Sequence, residues 1–269
     1  MERRRFLALA GVCSSLAVKG VLAAPAPAEA VGGSSLAIAI NKAGRQRMLS
    51  QRTAKAWLMR VLGVQSDRAG ILLSRSVQLF DLQMTELKAI QPGDEVRAAL
   101  PQLEQEWGRY RPLLNDPRSD PKAVWSGSEA VLTAAHKLTL AYEKSAGSPA
   151  GQLVNLAGRQ RMLSQRMAKA YFFRQLGVNA GPAGEMLDAA VKEFAKAHET
   201  LKASPQNTPQ LKTELALVEQ QWFFFRNALS LNTAADQKKA AEAVGSTSER
   251  ILEQMDLVVS LYEKLARDA

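Results

Sequence analysis

The chain of 269 residues has one cysteine, Cys13, and two histidines, His136 and His198. Cys13 falls in a leader-like N-terminal stretch, so the remainder has no thiol and can form neither a disulfide nor a thiolate metal site. His136 and His198 stand apart, without H-x-x-x-H or acid-bearing metal spacing. Each is expected at the surface or half-buried on a helix. No C-x-x-C-H haem attachment, G-x-S-x-G elbow or P-loop occurs. These absences supply no ligands for a cofactor or metal and no activated nucleophile, which makes an enzyme the weakest functional reading. Beyond the leader, no segment reaches the ~20 apolar residues needed to span a membrane. The net charge of +9 is well mixed in sign, which suits anionic ligands in general and does not single out nucleic acid.

Residues 1–30 read as an export leader. Arg3-Arg4-Arg5-Phe6-Leu7 fits the twin-arginine pattern, an apolar run follows from Phe6 to Val18, and Ala24-Pro25-Ala26 and Ala26-Pro27-Ala28 both suit cleavage. A short membrane anchor is the alternative. Cleavage would leave a periplasmic chain.

One stretch occurs twice. Asn41 to Val64 and Asn155 to Val178 are identical at 18 of 24 positions, and GRQRMLSQR is unbroken in both. Helix packing demands apolar periodicity, not identical Arg, Gln and Ser, so each copy uses those side chains. Both copies lack proline and are rich in strong helix formers. Ile40, Gly44, Arg47, Gln51, Ala54, Leu58 and Val61 alternate steps of four and three, which places them on one helix stripe. Val154, Gly158, Arg161, Gln165, Ala168 and Phe172 form the second stripe. Each stripe is apolar at its ends and polar in the middle. An arginine there needs an anionic partner, because an unpaired charge in a packed seam is costly. Asn41, Arg45, Arg52 and Lys55 fall on another face, expected to be solvated.

The rest of the chain repeats a plan of four helices. The first half reads as helices over about 36–62, 67–90, 95–114 and 122–145, with breaks at Gly63, Gln91-Pro92-Gly93 and Asn115 to Pro121. The second half aligns with it at offsets growing from 114 to 120, the insertions falling in loops. The expected fold is all-α: two tandem up-down-up-down four-helix bundles, over 31–146 and 150–269, related by a pseudo-two-fold. An even helix count and a short linker make the two GRQRMLSQR helices parallel, with their polar windows face to face.

N-x-A-G-R-Q-R-M-L-S-Q-R-x-A-K resembles the opening helix of the PilJ-type sensor domain, found at the N-terminus of type IV pilus chemoreceptors. It is also similar to the periplasmic segment of the nitrate/nitrite sensor kinases NarX and NarQ. The resemblance implies a four-helix bundle that pairs, with one Arg from each first helix holding one nitrate at the axis. By position those residues are Arg47 and Arg161, already singled out by the stripes. Neither copy is followed by a transmembrane helix or a kinase or methyl-accepting region.

The function expected is a periplasmic sensor module for a small oxyanion, nitrate or nitrite by resemblance. Arg47 and Arg161 would bind it, Gly44 and Gly158 would admit it, and Gln51 and Gln165 would add neutral donors. No cofactor or metal is implied. Partners would be a membrane sensor, chemoreceptor or transporter, and an internal pseudo-dimer makes a monomer the favoured state. The structural alternative pairs the arginines with acids of their own bundles, such as Glu104 or Glu219. The functional alternative is a protein-interaction module of a pilus, chemosensory or transport system without a small ligand. Trp57, Tyr171, Leu58, Phe172 and Phe223 to Phe225 would then be interface residues, although such aromatics are more often core. Three consecutive phenylalanines cannot share one helix face, so at least one is expected near the surface.

Overall fold

The computed structural model describes residues 32–230 and 237–268; the leader stretch, with Cys13, lies outside them. Eight α-helices make up the described chain, with no strand among these residues. They are α1 Gly33–Val61, α2 Ser66–Lys88, α3 Asp94–Tyr110, α4 Pro121–Ala146, α5 Pro149–Leu176, α6 Ala180–Lys202, α7 Pro209–Ser230 and α8 Gln237–Asp268, and a 3-10 turn, Arg111–Leu114, follows α3.

The chain stops and restarts its helices by local chemistry. The Asp120 side chain accepts from the Lys122 amide and Pro121 opens α4. Gly147, at φ 59°, ends α4, and Ser148 at once caps α5 by accepting from the Gly151 amide. The second repeat therefore starts its first helix at Pro149, one residue before the expected start of the second bundle at 150. Gly63 and Gly177 lie at matching places after α1 and α5, both with positive φ, and the residue two positions on is left-handed in each copy: Gln65 and Asn179.

Within the first repeat α1 packs on α2 and α4, and α3 on α4; within the second, α5 packs on α6 and α8, and α7 on α8. Stacked rings close each bundle. Phe80 lies on Trp107 with centroids 3.8 Å apart, and Phe194 on Trp222 at 4.4 Å. The repeats join along α1 and α5. Those helices run parallel, because α8 runs against both. Asn41, Arg45 and Arg52 of α1 meet Glu263, Asp256 and Glu249 of α8 in turn, and Arg161 and Gln165 of α5 meet Asp256 and Ser248.

This junction buries α1 and α5 nearly all round. From Gln46 to Met59 only Arg52 keeps partial exposure, and from Gln160 to Phe173 only Arg166 does. The face of Asn41, Arg45, Arg52 and Lys55 is therefore not a solvated side. Lys55 is completely buried and Asn41 nearly so, because α8 of the other repeat covers them. Trp57, Leu58, Tyr171 and Phe172 are core. Of the three phenylalanines, Phe225 is buried while Phe223 and Phe224 are exposed on α7.

Candidate functional site

Arg47 and Arg161 lie at the centre of the α1–α5 seam, each with no exposed surface. Gly44 and Gly158 make room for them. A Cβ on Gly44 would lie 3.2 Å from Arg47 Nη2 and 3.8 Å from Arg161 Nη2; on Gly158 it would lie 3.3 Å from Arg161 Nη2 and 3.6 Å from Arg47 Nη2. The two guanidinium tips thus converge on the pseudo-two-fold.

Each tip reaches across to the other repeat. Arg47 Nη2 donates to Asn155 Oδ1 at 2.7 Å and to the Asn155 carbonyl at 3.2 Å. Arg161 Nη2 donates to Asn41 Oδ1 at 2.8 Å and to the Asn41 carbonyl at 3.3 Å. The asparagines are held in turn by Glu143 and Glu263, which accept from Asn155 Nδ2 and Asn41 Nδ2. Each arginine keeps one buried N–H, at Nε, without a partner among the described residues. Leaving such a donor unmade costs about 1–3 kcal/mol.

Gln51 and Gln165 lie one turn on, fully buried. Their amides donate to the backbone carbonyls of Ser128 and Ser248 in their own bundles, and their Oε1 atoms have no partner among the described residues. They tie α1 to α4 and α5 to α8 just below the arginines.

The repeats differ on their fourth helices. Glu129, His136 and Glu143 of α4 match Glu249, Asp256 and Glu263 of α8 at an offset of 120. Steps of seven put each set on one helix stripe. The outer acids act alike. Glu249 bonds Lys55 at 2.5 Å and also Arg52, while Glu129 bonds Lys169 at 2.6 Å and Arg166 at 2.8 Å. Each carboxylate therefore clamps the other repeat's first helix. The middle position breaks the symmetry. Asp256 accepts from Arg161 Nη1 at 2.5 Å and from Arg45 of the other repeat at 3.3 Å. His136 instead meets Arg47 Nη1 through Nδ1 at 3.3 Å.

The electrostatics follow. Arg161 has an acid of its own bundle, though not Glu104 or Glu219, which bond Lys88 and Lys202. Among the described residues Arg47 bonds only Asn155 and His136. Burial, then the charges of Arg159 and Arg161, pull its guanidinium down to about 9. Burial and the nearby Arg47 and Arg159 also lower His136, which favours a neutral imidazole able to accept from Arg47. Burial alone would raise Glu249, but Lys55 and Arg52 beside it hold it down at about 2. Burial draws Lys55 and Lys169 down to about 8 against the pull of their glutamates. His198 is buried rather than superficial, with its ring against Phe194 and neither nitrogen partnered among the described residues.

Buried basic groups at the interface of two like helical bundles, with no group of three metal-ligating side chains among the described residues, define the class: a tandem helical-bundle domain built around a charged seam. The family model for the PilJ domain, the type IV pili methyl-accepting chemotaxis transducer N-terminal domain, matches residues 33–133 and again 145–249. The chain belongs to that family and carries two copies of its domain in tandem. No curated protein and no solved structure matches it. Among the described residues no helix is long and apolar enough to cross a membrane.

Identity between the repeats pointed to Arg47, Arg161 and their glycines, and the structure brings these four together. The clamping pairs and His136 were missed. Matching α4 to α8 residue by residue would have found the acid at 129 and 249 and the exchange at 136.

Proposed function

We propose that the protein is a periplasmic sensor module that holds one small oxyanion between Arg47 and Arg161. The observation carrying this reading is that two buried, converging guanidiniums each keep an unpartnered Nε–H. A planar oxyanion matches the planar fork of a guanidinium, and charge-assisted hydrogen bonds from both would offset the mutual repulsion of the arginines. Gly44 and Gly158 leave the approach free of side chains, while the Gln51 and Gln165 amides, expected as neutral donors, instead donate to the Ser128 and Ser248 carbonyls. Nitrate and nitrite lead by resemblance to the NarX-type sensors. On this reading each chain is its own pseudo-dimer, with bundles over 31–146 and 150–269, released to the periplasm by the 1–30 leader. It passes its state to a membrane sensor, chemoreceptor or transporter.

The test is a thermal-shift series with nitrate, nitrite, sulfate and chloride. A ligand at a hundred times its Kd stabilises the fold by about 2.7 kcal/mol. At ~2–4 °C per kcal/mol for a chain of this size, Tm rises by about 5–10 °C for the cognate oxyanion only. No selective rise for any of the four rejects the reading.

One observation favours a second reading, the protein-interaction module. Phe223 and Phe224 are 62% and 55% exposed, side by side on α7. Two adjacent exposed phenylalanines fit the contact face of a protein partner.

A further inference from the structure

A cavity of about 330 Å³ opens between α4 of the first repeat and α5 and α6 of the second. Its polar lining includes Arg47, His136 and Arg159 together with the acids Glu129 and Glu193, and Leu132, Met162 and Met186 give it apolar walls. At the matching place on the other flank, the Asp256 carboxylate lies between Arg161 Nη1 and Arg45 and so links the two repeats. Arg45 is the counterpart of Arg159, and Asp256 of His136. The chain thus shows, in its own second half, what a guanidinium pair of this geometry receives: a carboxylate. On the cavity flank that carboxylate is missing. His136 takes its position, Arg159 turns to Glu193 within its own repeat, and Arg47 is left without an acid.

We propose that this cavity is a second binding site, for a small organic monocarboxylate. The ligand's carboxylate bridges Arg47 Nη1 and Arg159 as Asp256 bridges Arg161 and Arg45. Its apolar body lies against Leu132, Met162 and Met186, which a bare inorganic anion would leave uncovered. The charges agree. Glu129 is shared by Arg166 and Lys169, Glu193 bonds Arg159, and Arg47 bonds no acid among the described residues, so cations outnumber acids around the cavity. Neutral His136, with Nδ1 accepting from Arg47, keeps its Nε2–H as a donor. Bound there, the ligand ties α1 to α5 across the repeats, in the place where Asp256 ties both on the α8 flank. The site shares Arg47 with the seam but does not depend on an oxyanion occupying it.

Calorimetry with propionate and benzoate as probes tests the proposal on the protein after removal of the leader. At least one probe binds at one per chain. His136→Asp supplies the missing acid from within and weakens that binding at least about tenfold, a loss of 1.4 kcal/mol or more. Arg159→Ala, at a partly exposed position, does the same while moving nitrate affinity less than about threefold, because Arg159 turns to Glu193 and donates no hydrogen bond to the seam. Circular dichroism confirms that both variants keep their helices. Failure of both probes to bind overturns the proposal, as does undiminished binding by both variants. Loss of nitrate binding with retention of benzoate would reject the seam reading and leave this one standing.

Discussion

Arg47 and Arg161, 114 residues apart in the chain, direct their Nη2 atoms to within 4 Å of the same point beside Gly44. Two like charges buried so close together favour an anion between them. The glycine is the first place to probe this. Gly44→Ala gains up to about 1 kcal/mol in helix propensity but sets a methyl 3.2 Å from Arg47 Nη2. The guanidinium end can swing away, so unfolding free energy should change by less than about 1 kcal/mol while oxyanion affinity falls at least about tenfold. Denaturation and calorimetry on the same sample check both.

The clamps between the repeats give a prediction about stability. Glu249 is 8% exposed and carries two cations of the other repeat; Glu129 is 27% exposed in the matching place. Removing one partner of a buried pair costs about 3–5 kcal/mol. Glu249→Gln should reach that range, and Glu129→Gln should cost less because water reaches its partners. Lys55→Met combined with Glu249→Leu should recover most of the loss. Urea denaturation of the three variants beside the unaltered protein measures the order.

Acid should weaken the same clamp. Glu249 lies at about 2 in the folded chain, below its ordinary value of 4.5. A depressed carboxyl contributes its stability above the ordinary value and loses it as pH falls from about 4.5 toward 2. Tm measured from pH 6 to 3 should drop steeply for the unaltered protein and less steeply for Glu249→Gln. Parallel curves would show that the clamp does not govern acid stability.

The run of three phenylalanines separates core from surface. Phe225→Ala should cost about 3–5 kcal/mol, as a fully buried aromatic does. Phe223→Ser and Phe224→Ser should stay within about 0.5 kcal/mol of the unaltered protein. Thermal melts distinguish them directly.

The repeat, the eight helices and the parallel pairing of α1 and α5 were legible because helical period, turn residues and an even helix count decide them. The burial of Arg47 and Arg161 was legible from their stripe. The face of Lys55 was not. A stripe argument assigns one buried side to a helix, and α1 has two: α4 covers one and α8, some 200 residues on, covers the other. Charged residues at such a face look solvated until their partners are known. The partners were visible only as matching acids in α4 and α8, and Asp256 against His136 was visible only as a mismatch between them.

The most direct measurement is isothermal calorimetry of nitrate and nitrite against the protein lacking residues 1–30, and against its Arg47→Lys and Arg161→Lys variants. Lysine keeps the charge but loses the planar fork. The account predicts one oxyanion per chain, with each substitution weakening binding at least about tenfold. Two anions per chain, each lost with only one of the arginines, would contradict a shared seam site, and so would lysine variants that bind as tightly as the original.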